Sequence, residues 1–312
     1  HIAKTVPTMP SSLSGRLAFA VNTNTFVSVT VNKTVGAALL GATKEFSDKE
    51  FEELPVGKYT AAIEWTADRT STTVPSANVI AYMPSKEKSD EYLFITSHYD
   101  HEGVKNGVIY YGADDDGSGT TGVLAIAEAF AQAKKKGFSP KRNIVFMNVS
   151  GEEKGLLGSK YYGEHPIFPM EKTTADLNID MIGRIDPTYK GDSMNYVYVI
   201  GEDKLSSDLQ PITDKVNKSY NMELDRRFND PKDPNRFYYR SDHYNFAAKG
   251  VPVIFYFNGT HADYHKPTDR VEKINFDLME KRARIIFETA WEMATREEML
   301  KRDMPLNMPA TR

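Results

Sequence analysis

The sequence predicts an α/β fold: a three-layer sandwich in which a central mixed, mostly parallel β-sheet is flanked by helices, preceded by a small α+β piece. Three observations carry this. From Ala77 onward, apolar runs of strand length alternate with segments of helix length, the pattern that joins strands of one sheet through helices. The runs at 92–97, 142–149 and 251–257 are mostly apolar and read as strands in a buried sheet. Histidines and carboxylates gather where those runs end, the carboxyl edge at which open α/β sheets collect their chemistry.

Composition sets outer limits. The 312 residues are 40% hydrophobic and 26% charged, ordinary for a globular chain with one substantial core and an accessory piece. No run of about 18 apolar residues predicts a membrane span. The net charge of -4, with scattered basic residues, argues against a nucleic-acid partner. With no cysteine in the chain, disulfides and thiolate sites are excluded, so any metal must be held by His, Asp or Glu. The chain opens at His1 without an initiator Met or an apolar leader. This is read as a processed product, secreted or periplasmic.

Residues 1–75 are rich in Thr, Val, Ser and Ala. They predict a strand at 26–31, helices at 34–40 and 48–54, the second entered through Ser47, and a strand at 59–65. Their only histidine, His1, lies at the terminus. Strands follow at 78–83 and 92–97, separated by the turn-like 84–91, and Asn106-Gly107 marks a tight turn. Residues 120–136 place Val123, Leu124, Ile126, Ala127, Phe130 and Ala133 at helical spacing. Strands are then expected at 142–149, 175–182 and 196–200, a helix at 205–220 despite Pro211, a strand at 251–257 and a long helix over 276–302.

Ahead of the 120–136 helix lies GADDDGSG, residues 112–119. Asp114, Asp115 and Asp116 repel one another unless a cation sits among them or water bathes all three. A phosphate loop would need a Lys after the last glycine, and a calcium loop counted from Asp114 would need a carboxylate where Ala125 stands. A solvated acidic turn and a bridging carboxylate in a two-metal site both remain open. The strand ends add His98, Asp100 and His101 in SHYDHEG, Glu152 and Glu153 in SGEEKGLLGS, Asp180 in NIDM, and His261, Asp263, Tyr264 and His265 in THADYHKPTD. One such residue alone is usually a polar cap. Four strand ends and an acidic loop together suit zinc, manganese or cobalt held by imidazole and carboxylate.

Residues 77–301, with SHYDH, GADDDGSG, EEKGLLGS, NIDM and DYHKPTD in order, resemble the M28 family of zinc-dependent aminopeptidases. The resemblance implies a zinc-exopeptidase-like fold, two Zn2+ ions and peptide substrates with a free N-terminus. It implies His98, Asp115, Glu153, Asp180 and His265 as ligands. Asp115, which stands three residues before a Ser-Gly pair, would bridge one ion completed by His98 and Asp180 and another completed by Glu153 and His265. It further implies a cis peptide between Asp115 and Asp116, Glu152 as general base, and Tyr264 as a stabiliser of the oxyanion. Asp100, two residues beyond His98, is expected to turn its carboxylate back onto the imidazole's other N–H. Residues 27–42 resemble the closing part of a protease-associated domain, dividing the chain into an accessory segment at 1–75 and a catalytic domain at 76–312.

The other candidates carry lower stakes. His101 and His261 are expected on the rim, and His165 in a surface turn. His243 is expected at a helix start behind Ser241 and Asp242 as caps. The 221–240 segment, with Arg226, Arg227, Arg236, Arg240, Phe237, Tyr238 and Tyr239, is either a solvated loop or an overhang of the cleft. The alternatives to an aminopeptidase are a carboxypeptidase, a glutaminyl-cyclase-like enzyme, or a binding protein on the same scaffold. A carboxypeptidase would need a cation for the substrate carboxylate.

Overall fold

The computed structural model describes residues 31–55, 74–87 and 89–308, in two compact units, His1–Pro75 and Ser76–Arg312. In the first unit α1 spans Lys33–Leu39 and α2 spans Asp48–Glu52. The Asn32 side chain accepts from the Val35 N–H and starts α1. Ser47 and Glu50 form a reciprocal capping box at α2, the Ser47 N–H donating to the Glu50 carboxylate and the Glu50 N–H to the Ser47 hydroxyl. His1, the strand expected at 59–65, all but Val31 of the strand expected at 26–31, and residues 27–30 of the protease-associated resemblance lie outside the described residues.

The second unit contains β1 (Val79–Met83), β2 (Tyr92–His98), β3 (Gly103–Lys105), β4 (Val108–Tyr110), α3 (Gly117–Lys135), β5 (Asn143–Val149), α4 (Leu157–Glu164) and β6 (Thr173–Ile179). It continues through β7 (Tyr196–Ile200), α5 (Leu209–Asn217), β8 (Glu223–Asp225), α6 (His243–Ala247), β9 (Val253–Phe257) and α7 (Phe276–Thr295). Seven strands form one sheet in the order β1-β5-β2-β6-β9-β7-β8. The pairs β2–β5, β2–β6, β6–β9 and β7–β8 are parallel, while β1–β5 and β7–β9 are antiparallel. The mixed, mostly parallel sheet is thus present. Among the described residues no helix is long and apolar enough to cross a membrane.

Strand geometry explains the three layers, because successive side chains leave opposite faces. Leu93, Ile95, Ile144, Phe146, Leu177 and Ile179 pack with Val123, Ile126 and Phe130 of α3 and Ile285, Ile286 and Met293 of α7. Their neighbours Phe94, Val145, Met147, Val253 and Phe255 pack on the other face with Tyr162 of α4 and Phe246 of α6. Both faces are covered, so the central strands read as unbroken apolar runs. At the sheet edge, β1 has one neighbour and leaves Val79 and Tyr82 exposed.

Element ends depart from expectation for local reasons. Pro211 lies in the first turn of α5, where its missing N–H costs nothing. The α7 helix stops at Thr295, where Arg296 turns extended and the Arg142 guanidinium takes the Met293 and Arg296 carbonyls. At its start, the Asn275 side chain accepts from the Leu278 N–H. The Asn106-Gly107 turn joins β3 to β4, with both residues at positive φ (52° and 78°) as a two-residue hairpin requires.

His243 opens α6 fully buried, its ring stacked 4.7 Å from that of Phe255. Burial pushes its pKa down from 6.5 to about 3. The unfolded chain takes up this proton as pH falls below 6.5, whereas the folded chain refuses it until about 3, so acidification over that window favours unfolding. His243→Phe is expected to remove this contribution, roughly 3 kcal/mol at pH 4. Urea unfolding at pH 7 and pH 4 checks it: equal pH dependence in the two proteins would refute the assignment.

Candidate metal centre

The acidic loop meets the N-terminus of α3, and its three carboxylates, all buried, part company there. Asp116 caps α3 by accepting from the Gly119 N–H at 2.9 Å, and also accepts from the N–H groups of Met181 and His98. Asp114 accepts from the Gly183 N–H at 2.7 Å and the Ser118 hydroxyl, with His261 Nε2 3.1 Å from its second oxygen. Asp115 is turned inward, Oδ1 lying 3.3 Å from His98 Nε2 and Oδ2 3.0 Å from His265 Nε2. The Asp115–Asp116 peptide is cis, as the resemblance implies. Asp269 holds the loop from behind, accepting from the backbone N–H groups of Asp114 and Asp115. Only glycine fits at 119, where a Cβ would collide with the Asp116 carboxylate and the Ile179 carbonyl.

The other expected residues converge on Asp115. Asp180 Oδ2 lies 3.7 Å from His98 Nε2, and Glu153 Oε2 lies 3.2 Å from His265 Nε2. Glu152 Oε2 stands 4.0 Å from His98 Nε2. Asp180 is oriented by a polar relay leading out of the sheet: the Asn178 amide donates to the Ser241 hydroxyl at 2.8 Å, which donates to Asp180 Oδ2 at 2.6 Å. Asp100 acts differently from expectation. His98 Nδ1 lies 3.0 Å from the Asp100 backbone carbonyl and 3.8 Å from its carboxylate, which instead accepts from the Glu152 N–H at 3.1 Å. The chain turns at Asp100, so its carbonyl faces back and its side chain reaches toward the loop after β5.

Electrostatics test whether these residues suit cations. Burial works to lower the His98 pKa, yet the charges of Asp116 and Glu152 and contacts with Asp115 and Asp180 raise it well above 6.5. His265 is raised to about 10, against burial, by Asp115 and Glu153. Burial raises Glu152 well above the ordinary glutamate value, with Asp180, Asp242 and Asp115 adding to it. So many carboxylates in so little solvent call for positive charge at their centre. His98 Nε2, Asp115 Oδ2 and Glu153 Oε1 are buried without hydrogen-bond partners, as metal-directed atoms are. Among the described residues three groups have donors close enough to hold an ion: His98–Asp115–Asp180, His101–Asp115–Glu153 and Glu102–Glu153–His265. The donor set of imidazole and carboxylate fits zinc.

A cleft of about 430 Å³ opens over Glu152, Glu153 and His265 and is walled by Arg236, Tyr239, Arg240 and Tyr264. Part of the 221–240 segment therefore does overhang the site. Arg226 turns away to Glu202 and Asp214, and Arg227 to Asp225. Tyr264 stacks on His265 at 3.9 Å, and its hydroxyl accepts from Arg240 Nη2 at 2.9 Å. Four expectations are revised. His261 is buried and His101, partly exposed as a residue, turns both ring nitrogens inward, so neither stands on the rim. Ser241 and Asp242 make no side-chain cap on α6, because Ser241 serves Asp180 and Asp242 accepts from the Ser159 hydroxyl. Asp269, Ser241 and Glu102 also serve the site although spacing does not single them out; Asp269 and Glu102 lie inside the motifs quoted, and Ser241 stands where a helix cap is expected.

Comparison with known proteins bears on the family and the fold. The chain is 32% identical over 205 residues to leupeptin-inactivating enzyme 1 of Streptomyces exfoliatus, covering 65% of this chain and 40% of that one. It is 27% identical over 269 residues to a probable zinc metalloprotease of Pyricularia oryzae, covering 74% and 52%. The chain thus spans about half or less of the length of these relatives. A zinc aminopeptidase from Bacillus subtilis shares the fold at a TM-score of 0.55 and 21% identity, covering 73% of this chain and 52% of that one. The profile of peptidase family M28 matches residues 78–290, most of the chain and every motif of the cage, and the chain belongs to that family.

Proposed function

We propose that this chain is a zinc-dependent aminopeptidase that removes N-terminal residues from peptides, with His98, Asp115, Glu153, Asp180 and His265 holding two Zn2+ ions. The observation that carries this is the division of Asp115, one oxygen toward His98 and the other toward His265, which is what a bridging carboxylate requires. When bound, the ions supply Lewis acidity, lowering the pKa of a water from 15.7 toward about 7 and polarising the scissile carbonyl. Glu152, beside His98 and raised in pKa, takes the proton of the attacking water and delivers it to the departing amine. Asp100 positions both partners, its carbonyl setting the His98 tautomer and its carboxylate anchoring the Glu152 backbone. Tyr264 accepts from Arg240, leaving its own O–H to donate to the developing oxyanion. The carboxylates gathered around Glu152 favour a substrate α-ammonium.

A carboxypeptidase reading has one observation in its favour, the presence of Arg236 and Arg240 in the cleft wall, where a guanidinium could receive a terminal carboxylate. Matched peptides separate the two: one unmodified, one N-acetylated, one C-amidated. The aminopeptidase reading expects N-acetylation to lower kcat/KM by about a thousandfold and amidation to change it little, with chelation abolishing turnover and zinc restoring it. Loss on amidation with tolerance of acetylation would replace it by the carboxypeptidase. Chelator-resistant turnover would remove the metal mechanism.

A further inference from the structure

His101 follows Asp100 on the loop leaving β2, yet its side chain is only 9% exposed. The ring lies edge-on to that of His265, centroids 5.8 Å apart, and the bare backbone of Gly112 makes room for it. His101 Nδ1 is 2.8 Å from Glu153 Oε1 and 3.9 Å from Asp115 Oδ2. Among the described residues none of these three atoms makes a hydrogen bond of good geometry, although His101 Nδ1 lies close enough to Glu153 Oε1 to attract it and, against burial, to hold the Glu153 carboxyl below its usual pKa. A buried imidazole nitrogen and two buried carboxylate oxygens converge there with acceptor capacity to spare. His101 Nδ1 is thus 2.8 and 3.9 Å from the two oxygens, inside the roughly 4.4 Å that one ion with bonds of about 2.0–2.2 Å can span between donors.

We propose that His101 Nδ1 is a protein ligand to the cation held by Asp115, Glu153 and His265. This rests on the two-cation reading above and gives it an asymmetry. The half at His98, Asp115 and Asp180 has three protein donors and faces Glu152, whereas the other half has four. A further protein donor holds an ion more tightly. The ion beside Glu152 is therefore the exchangeable one, and the ion beside His101 the retained one.

X-ray absorption on the full chain, stripped by chelation and reloaded with two equivalents of Zn2+, counts imidazoles without any mutation. Three imidazoles shared between two ions is the expected result; two would overturn the proposal. Zinc titration of His101→Gln and His101→Asn, against a chromophoric chelator, is expected to show the tighter equivalent weakened by at least tenfold and the weaker one unchanged. Wild-type affinity for both ions in either folded variant would also overturn it. A wild-type chain that binds no stoichiometric zinc would instead sink the two-cation reading, so the two failures are distinguishable.

Discussion

Asp115→Asn is expected to abolish stoichiometric two-ion binding and to lower kcat/KM by roughly ten-thousandfold. Among the described residues Asp115 alone reaches both imidazoles, His98 at 3.3 Å and His265 at 3.0 Å. Asparagine keeps one acceptor oxygen and presents N–H groups on the other side, so it serves one half of the cage and repels a cation from the other. Its neighbours cannot substitute. Asp114 is committed to Gly183 and Ser118, with His261 at its other oxygen, and Asp116 to Gly119, Met181 and His98. Asp114→Asn provides the contrast: it is expected to keep both ions while losing about 1–3 kcal/mol of stability through disrupted buried hydrogen bonds. Metal content after desalting and urea unfolding check the pair. Two bound zinc ions in Asp115→Asn would show that this residue does not bridge.

Glu152→Gln is expected to lower kcat by roughly a thousandfold, with KM and zinc content nearly unchanged. The amide has the shape of the carboxylate but cannot accept the water's proton. Its backbone N–H still donates to Asp100, so the side chain keeps its place. The amide fills the volume of the carboxylate, so thermal stability of the variant is expected to stay close to wild type. The combination separates chemistry from structure. A variant with both ions bound and activity within tenfold of wild type would remove Glu152 from the role of general base.

The class of fold was written in local pattern. Runs such as 92–97 and 143–149 are apolar at successive positions because α3 and α7 cover one face of the sheet and α4 and α6 the other. Such a run can be read without knowing its neighbours. The candidate ligands were likewise visible because His98, Glu152, Glu153 and Asp180 stand just at or beyond the ends of strands whose positions the pattern reveals. The β3–β4 hairpin was visible only as its turn, since its two strands are three residues each and largely exposed. The exposed β1 edge and the antiparallel β7–β9 pairing depend on which strand lies beside which, and composition carries no record of that.

What the sequence by itself determined was the α/β alternation, the set of metal-competent side chains and their place at the carboxyl edge of the sheet. The family motif already pointed to Asp115 within the triplet, and the tertiary structure supplied the physical reason. Besides Ser118, Gly119 and His98 nearby in the chain, the partners that claim Asp114 and Asp116 include Gly183, Met181 and His261, 65 to 147 residues away. Only the tertiary structure decided the place of His101 inside the cage, the Ser241 relay to Asp180, and the Asp100 carbonyl taking the role expected of its carboxylate. Each depends on contacts between segments remote in the chain, for Asp100 on the Glu152 N–H that draws its carboxylate away from His98. Residue spacing governs only neighbours along the backbone, and so leaves such choices open.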